Sequence, residues 1–471
     1  MKVFILTIVV LFGSIVTSAQ SIYAHDRVYT ANQISNTVSV IDPSTNMLLG
    51  EIKLGKPYPN VLNPLYKGQA LVHGLRYCAA RRLLAVVSIG SNSVTFISTE
   101  NNQVLKTLYI GRSPHEPTFT PDNKQVWVSV RGEAYISVID VNLMTEIKRV
   151  PVADGPGMVA FTPDGKLAYV CSSFTPELDI VNTSTLKIIK RIPVTSPFSP
   201  NIFTSSDGKW IALTHKDVGK VTVVNTSKMA IEKVITTGAI TNHVTFSIVD
   251  NILLMMVTIG GENKVRTFDV ANNFLQRDTI NVGALPHGIW PSADGKLMYI
   301  GIEYGDQVQA INLQNMSVTA TIQIGQSPQA LVYADNAVTD LLKSVAGLSP
   351  LNDTASTQVV VLNNPAKNDN AHGRLSVRSI GLADLVEQVF SGLLPNNSYT
   401  LALSKSAAAP FLKDYQINTF QADGEGKYAG QSTGLIKELN TPTTRQLYRH
   451  VVLIDNASGR AVLLDNIPVA N

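Results

Sequence analysis

The chain has few of the features on which several large protein classes depend. Only two cysteines occur in 471 residues, so the sequence contains no disulfide framework. Charged residues make up 15% of the chain, the formal net charge is +3, and there is no long basic run. This composition argues against binding to nucleic acid. Beyond the N-terminal segment no stretch reaches the roughly 18 consecutive apolar residues of a membrane span, so no transmembrane segment is predicted.

The sequence also lacks the short motifs of several enzyme classes. It contains no P-loop, no G-x-S-x-G elbow, no H-E-x-x-H pair and no C-x-x-C pair. His115-Glu116 begins like a zinc-protease motif but lacks the second histidine. These absences count against nucleotide-binding enzymes, serine hydrolases, zinc proteases and proteins with attached haem.

The N-terminus has the pattern of an export signal. One lysine precedes an apolar run over residues 3–16, and Thr17, Ser18 and Ala19 supply small residues for cleavage. We predict that residues 1–19 are a signal peptide. The mature protein is expected to be periplasmic, extracellular or attached to the cell surface. Its two cysteines, Cys78 and Cys171, are predicted to be buried and not bonded to each other.

One short unit recurs along most of the chain. Each copy has a β-rich run that ends in a small polar residue, and the successive gaps are 56, 42, 42, 43, 44 and 43 residues. The end residues are Asp42, Ser98, Asp140, Asn182, Asn225, Asp269 and Asn312. A fixed period of this size indicates an array of identical supersecondary units. The first gap is longer because of an insertion over residues 56–68.

Each unit is predicted to contain four short antiparallel strands. Residues 286–325 show alternating apolar and polar runs, a tight-turn signal at Asp294-Gly295 and no helical periodicity. The recurring Asp42, Asp140 and Asp269 are predicted to initiate turns by hydrogen-bonding the backbone, because Asp and Asn side chains favour that role.

The units are predicted to close into a ring, which gives an all-β fold. The first unit lacks an innermost strand, and residues 327–335 follow the last unit as an extra one. A seven-bladed β-propeller over residues 22–335 is therefore predicted, because closure removes the open sheet edges. Residues 336–356 are expected to be a linker with a short helix, and residues 357–471 a small β-sandwich-like accessory domain.

Three segments of the repeat carry a family resemblance. YTANQISNTVSVIDPSTN, PDGKLAYVCSS and PHGIWPSADGKLMYI resemble the YVTN family of seven-bladed β-propeller repeat proteins, over about residues 22–335. The resemblance implies the propeller fold. It also implies a place among exported and surface proteins and propellers related to lactonases.

Histidines recur at one position of the repeat. The position at the mouth of the innermost strand is occupied, in blade order, by Gln329, His73, His115, Gly157, Pro200 or Asn201, His243 and His287. We predict that the four histidines and Gln329 form an arc at the central channel. Imidazoles there could ligate Cu or Zn or transfer protons. The alternative is that each histidine only bonds the backbone of the next blade.

Carboxylates are predicted on the same face. The loops between the second and third strands carry Glu133, Glu177, Asp217, Glu262 and Glu303. Of these, Glu133, Glu262 and Glu303 are candidate ligand-binding residues beside the arc, with a preference for a cation or a cationic group. Tyr58, Asn60 and Tyr66 of the insertion are candidates for covering the channel mouth, because long loops on rigid scaffolds often carry function.

Two functions remain open from the sequence. The first is a non-enzymatic exported protein that binds a small ligand, a glycan or a protein partner through its channel-mouth face. The second is a lactonase-like hydrolase or a metal-assisted oxidoreductase that uses the histidine arc with Cu or Zn. No resident cofactor and no nucleic-acid partner are predicted, and the oligomeric state is left undetermined.

Overall fold

The computed structural model describes residues 22–55, 70–351, 357–365, 370–379, 384–434 and 448–465. The predicted signal peptide and the insertion with Tyr58, Asn60 and Tyr66 lie outside these residues. Within the described ranges, no helix has the length and apolarity needed to cross a membrane.

Seven four-stranded antiparallel sheets form the first part of the chain. In blades 1 to 4 the strands are β1 (Arg27–Asn32), β2 (Thr37–Asp42), β3 (Met47–Lys53); β4 (Val72–Cys78), β5 (Leu83–Ser88), β6 (Ser93–Ser98), β7 (Val104–Tyr109); β8 (Pro114–Phe119), β9 (Gln125–Val130), β10 (Tyr135–Asp140), β11 (Thr145–Pro151); β12 (Pro156–Phe161), β13 (Leu167–Ser172), β14 (Glu177–Asn182) and β15 (Lys187–Pro193). In blades 5 to 7 they are β16 (Ile202–Thr204), β17 (Trp210–His215), β18 (Lys220–Asn225), β19 (Ala230–Thr236); β20 (Thr241–Val249), β21 (Ile252–Ile259), β22 (Lys264–Asp269), β23 (Leu275–Asn281); β24 (Pro286–Pro291), β25 (Leu297–Ile302), β26 (Gln307–Asn312) and β27 (Ser317–Gln323). The predicted all-β class and seven-bladed propeller are confirmed.

The innermost strand of blade 1 comes from the other end of the propeller sequence. Strand β28 (Pro328–Ala334) pairs antiparallel with β1, with Arg27 opposite Ala334 and Tyr29 opposite Val332. The two ends of the repeat array are thus held in one sheet, and no blade is left without a neighbour.

The apolar core lies between neighbouring blades. The second strand β5 is buried at every residue, whereas the outermost strand β7 alternates between exposed and partly exposed residues. One core cluster joins Val87 and Phe96 of blade 2 to Val126 and Val128 of blade 3. Strands covered on both faces need apolar residues on both faces, which explains the continuous apolar runs of the second strands.

The recurring aspartates form turns, as predicted. The Oδ1 atom of Asp42 accepts a hydrogen bond of 2.8 Å from the backbone N–H of Ser44. Asp140 Oδ1 accepts one of 2.8 Å from the N–H of Leu143. These bonds satisfy turn N–H groups, which assigns the carboxylates a structural role.

The C-terminal strands form a single eight-stranded sheet, in the order β33-β32-β35-β36-β29-β30-β31-β34. They are β29 (Thr357–Asn363), β30 (His372–Ser379), β31 (Asp384–Ser391), β32 (Ser398–Ser404), β33 (Tyr415–Gln421), β34 (Tyr428–Gly434), β35 (His450–Asp455) and β36 (Ala461–Asp465). The edge strands β33 and β34 approach each other, so the sheet curls into a nearly closed barrel. Its interior holds the stacked rings of Phe390, Phe420 and Tyr428.

The predicted small all-β C-terminal domain is present, but its strands do not divide into two facing sheets. Strand β36 pairs with both β35 and β29, through Leu464 opposite Val452 and Asp465 opposite Leu362. This pairing joins what would be two layers into one sheet, named the C-terminal barrel below.

Among the residues that the structure describes, the helical turns are short 3-10 helices, at Ala79–Arg81, Gly260–Glu262, Glu303–Gly305 and Lys343–Val345. The helix expected in the linker is reduced to the last of these. Cys78 and Cys171 are buried free thiols on blades 2 and 4. Burial raises the pKa of Cys171 to about 12, which keeps this thiol protonated and unreactive.

Candidate functional site at the channel mouth

A β-bulge interrupts the innermost strand of several blades at the position of the predicted arc. In β8, Pro114 lies opposite Val130 but Pro117 lies opposite Val128, so two residues, His115 and Glu116, face a single residue of β9. Equivalent register shifts enclose His73, His243 and His287. A bulge bends the strand and redirects its side chains, and here it occurs wherever the repeat places a histidine.

The four histidines come together as two pairs of neighbouring rings. The ring centroids of His73 and His115 are 4.4 Å apart, and those of His243 and His287 are 4.8 Å apart. Gln329 lies in blade 1 and donates a hydrogen bond of 3.0 Å to Ser327 Oγ. We refer to these four histidines as the histidine arc.

The backbone of the next blade fixes the tautomer of one arc histidine. Nδ1 of His115 lies 2.8 Å from the carbonyl oxygen of Gly157. Since a carbonyl oxygen only accepts, Nδ1 carries the proton and Nε2 has a free lone pair. The sequence left open that each histidine only bonds the backbone of the next blade, and His115 does make such a bond. Its Nε2 atom is still available to bind a ligand.

The arc is electrically neutral near pH 7. Burial lowers the pKa of all four histidines, and that of His73 falls to about 3. The positive charge of Lys216 lowers the pKa of His73, His243 and His287 further. Arg131 has the same effect on His73 and His115. Neutral imidazoles are the form that accepts hydrogen bonds and binds metals.

Three charged residues share one further position of the repeat. Arg131, Lys216 and Glu303 each follow directly after the second strand of their blade, β9, β17 and β25. Neither cation was among the predicted site residues. The repeat carried the signal, because the residue after the second strand recurs with the same gaps as the turn residues.

Glu303 connects the arc to these charges. Its carboxylate is buried, lies 3.7 Å from His287 Nδ1 and accepts a hydrogen bond from the side chain of Gln329. Burial raises the pKa of Glu303, and the charge of Lys216 opposes this rise. Glu303 is therefore the predicted carboxylate that the structure brings to the arc.

Glu133 and Glu262 are engaged elsewhere. Glu133 accepts a hydrogen bond of 2.8 Å from the backbone N–H of Arg112 in a neighbouring turn. Glu262 lies 2.7 Å from Arg266 and 3.9 Å from Lys427 of the C-terminal barrel. Their carboxylates are committed to local contacts and do not join the arc.

A pocket of about 740 Å³ lies between the propeller face and the C-terminal barrel. Lys216, Asp217, Glu303 and Tyr304 line it from the propeller, and Glu425, Gly430 and Gln431 line it from the barrel. The barrel, which the sequence suggested only as an accessory domain, thus forms one wall of a pocket that begins beside the arc.

Buried ionic contacts hold the barrel against the turn of blade 7 that begins at Glu303. The fully buried guanidinium of Arg378 contacts the carboxylate of Asp306 on the propeller and lies 2.7 Å from Glu387 of the barrel. It also donates a hydrogen bond of 3.0 Å to the carbonyl of Glu303. The position of the barrel and the position of Glu303 therefore depend on one another.

One group at the arc has donor atoms close enough to suggest a metal. Among the residues that the structure describes, His73, His115 and Glu116 have ligand atoms that lie within 4.8 Å of one another. Glu116 was not a predicted site residue. Its position directly after His115 in a two-residue bulge brings it close to His73 and His115.

Comparison with known proteins gives information about the fold. No protein-family model matches the sequence, and no curated protein matches it. Hydrazine synthase from Kuenenia stuttgartiensis is similar in structure, with a TM-score of 0.51 and 18% identity, covering 58% of this chain and 92% of that chain. A functionally unknown protein from Desulfotomaculum acetoxidans has a TM-score of 0.56 and 11% identity, covering 66% and 99%. At these identities the likeness shows a shared fold and nothing about activity.

Proposed function

We propose that this protein is an exported propeller of the YVTN type that binds a small polar ligand between its channel-mouth face and its C-terminal barrel. The observation that carries the proposal is that Lys216 and Glu303 line the same pocket wall, where Glu303 lies 3.7 Å from Nδ1 of His287 in the histidine arc. Ligand pockets commonly lie between domains and contain a few convergent polar groups, as this pocket does.

The charges of the pocket define the class of ligand. Lys216 and Glu303 influence each other's pKa, yet no ion pair within 4.0 Å joins them. A ligand group between them can accept a hydrogen bond from the ammonium and donate one to the carboxylate. Hydroxylated molecules and zwitterions carry both kinds of group. The ligand is therefore expected to be a sugar, a hydroxy acid or an amino acid.

The barrel supplies the second wall. Tyr304 Oη donates a hydrogen bond of 3.4 Å to the carbonyl of Gly430, so the loop that begins at Glu303 is tied directly to strand β34. Gln431 and Glu425 add polar groups on the barrel side of the pocket. A ligand held from two domains is expected to stabilise both together, because any ligand that binds only the folded state shifts the unfolding equilibrium.

Ligand binding is tested by thermal shift with a panel of monosaccharides, hydroxy acids and amino acids. At least one compound is expected to raise the Tm of the wild-type protein. It should have no effect on the Lys216→Met variant, which keeps the stem but lacks the charge. Lys190→Met, on the exposed outermost strand of blade 4, is the matched control and should respond like the wild type. Equal shifts in Lys216→Met and wild type would contradict the proposal.

Export is a separate part of the proposal and rests on the sequence pattern of residues 1–19. Mass spectrometry of the protein recovered from the producing cells is expected to find an N-terminus at Gln20, outside the cytoplasm. An intact N-terminus in the cytoplasmic fraction would rule this part out and would leave the pocket proposal unaffected.

A further inference from the structure

We propose that His73, His115 and Glu116 form a binding site for one divalent transition-metal ion, Zn²⁺ or Cu²⁺, at the wall of the central channel. This goes beyond the proposed function, because the ion would be a resident of the channel and not the ligand of the pocket. Two imidazoles and one carboxylate, with a further coordination position open, are a donor set that both metals accept.

The spacing of the donors permits one shared ion once the side chains move together. The three ligand atoms lie within 4.8 Å of one another. Donors at tetrahedral angles around one Zn²⁺, at about 2.0–2.2 Å from it, are about 3.3–3.6 Å apart. Binding of the ion is therefore expected to draw the ligand atoms together by up to about 1.5 Å.

The carboxylate of Glu116 is buried and incompletely satisfied. The residue is only 1% exposed, and neither carboxylate oxygen has a hydrogen-bond partner among the described residues. Its nearest charge is the guanidinium of Arg76, at 3.5 Å. A buried carboxylate that lacks hydrogen bonds is costly to the fold. A metal ion bound to this carboxylate would reduce that cost.

Both ligands from β8 are held in place by the backbone. The N–H of Glu116 donates a hydrogen bond of 3.1 Å to Ser129 Oγ, and Ser129 in turn donates one of 2.6 Å to the carbonyl of Gly157. The same carbonyl accepts from Nδ1 of His115. Metal-binding histidines commonly donate their second N–H to such a carbonyl, which fixes the ring and makes the free nitrogen a better ligand.

The second histidine pair lacks this arrangement. His243 is preceded by Asn242 and followed by Val244, and His287 is followed by Gly288, so neither bulge carries a carboxylate. The carboxylate near His287 is that of Glu303, which Gln329 already engages. Of the arc histidines, those of blades 2 and 3 are therefore assigned to the metal.

Nearby cations are expected to lower the affinity of the site for a metal ion. Arg76, Arg131 and Lys216 all act on the groups of the arc, and like charges weaken the binding of a divalent ion. Replacing Lys216 by methionine should therefore increase the affinity for Zn²⁺, by about three- to tenfold. The same substitution should abolish ligand binding in the pocket, so the two proposals are tested with opposite signs in one variant.

The test is equilibrium dialysis of the chelator-treated full-length protein against ZnSO₄, with metal measured by mass spectrometry. The wild type is expected to bind one equivalent of Zn²⁺. Glu116→Gln and His115→Ala should each weaken binding at least tenfold. Co²⁺ in place of Zn²⁺ should give the visible absorption of a four-coordinate ion in the wild type and not in Glu116→Gln. His372→Ala, an exposed histidine of the barrel, is the control and should bind like the wild type.

Three results would overturn the proposal. One is the absence of stoichiometric Zn²⁺ and Cu²⁺ binding by the wild type. Another is wild-type affinity in the Glu116→Gln variant, which has nearly the same shape and is expected to fold. The third is loss of the metal in His287→Ala but not in Glu116→Gln, which would move the ion to the other histidine pair.

Discussion

The propeller and the C-terminal barrel are both built from antiparallel strands, but they are held together differently. The propeller buries apolar surface between neighbouring blades, seven times over, whereas the barrel buries its core inside one curled sheet. The contact between them combines the buried ionic contacts of Arg378 with an apolar cluster formed by Leu285 and Tyr304 of the propeller and Val389 of the barrel. Apolar packing therefore gives each domain its own stability, and charge pairing acts together with apolar packing to set the position of one domain on the other.

The largest effect is expected from the propeller core. Trp127 is fully buried between blades 3 and 4, and its ring packs edge-on against Phe161 at 5.2 Å. Trp127→Ala should lower the free energy of unfolding by about 3–5 kcal/mol, the usual cost of such a cavity. Denaturant unfolding with a domain-specific probe should show the loss in the propeller transition. The exposed Leu143→Ala should have almost no effect, and equal losses in both variants would contradict interblade packing as the source of stability.

Loss of the ionic contact between the domains should destabilise the protein nearly as much as the loss of Trp127. Arg378→Met leaves the carboxylates of Asp306 and Glu387 without their buried partner. Breaking one side of such a pair costs about 3–5 kcal/mol. We expect the barrel to detach from the propeller, which limited proteolysis and small-angle scattering would detect. Arg449→Met, at an exposed position of the barrel, is the control. An unchanged proteolysis pattern in Arg378→Met would show that apolar contacts alone fix the barrel.

Acid should weaken the propeller through a buried neutral histidine. His215 makes hydrogen bonds of 2.7 Å to both Ser199 and Thr222, and burial lowers its pKa from 6.5 to about 4. Between these values the unfolded chain binds more protons than the folded one, so stability falls as pH falls from 6.5 towards 4.

The loss due to His215 is at most about 1.4 kcal/mol per pH unit. His215→Gln should reduce the slope of unfolding free energy against pH in this acidic range. Above about pH 7.5 the slopes of variant and wild type should coincide, because histidine is then neutral in both states. An identical acid slope in the two proteins would mean that other groups control the acid sensitivity.

The smallest effect is expected at the turns. Asp140→Ala removes the acceptor of two backbone N–H groups, those of Asn142 and Leu143, and should cost about 1 kcal/mol. Asp140→Asn should retain most of the stability, because Asn182, Asn225 and Asn312 perform the same role in other blades. Similar stability losses for the alanine and asparagine variants would indicate that the carboxylate charge matters more than its oxygen.

The site residues that could be predicted from the sequence are those that recur with the repeat. The histidine positions and the turn role of Asp42 and Asp140 could be identified because equivalent residues recur at a nearly constant period. Arg131 and Lys216 occupy an equally regular position. They are less evident in the sequence, because the equivalent position is isoleucine, serine or glycine in other blades. Glu116 belongs to no such series, because the residue after the arc histidine is glycine or valine in the other three blades. Its closeness to His73 and His115 is seen only in the folded chain.

The C-terminal barrel was the least predictable part, since it has no repeat to constrain it. Its strands could be recognised from local patterns of alternation and from turn signals. The junction of β29 with β36 joins residues about a hundred positions apart, and nothing local specifies such a pairing. The same holds for the contact of Arg378 with Asp306, through which the barrel becomes a wall of the pocket.

Local sequence was therefore sufficient for the class of fold, the number of blades and the roles of the turn residues, since these depend on periodicity and on short-range hydrogen bonds. Contacts between residues far apart in the chain decided three further properties. They close the barrel, they combine Lys216, Glu303 and the barrel into one pocket, and they place Glu116 beside two histidines. The physical reason is that buried charges and curled sheets are stabilised by their surroundings, which only the folded chain supplies.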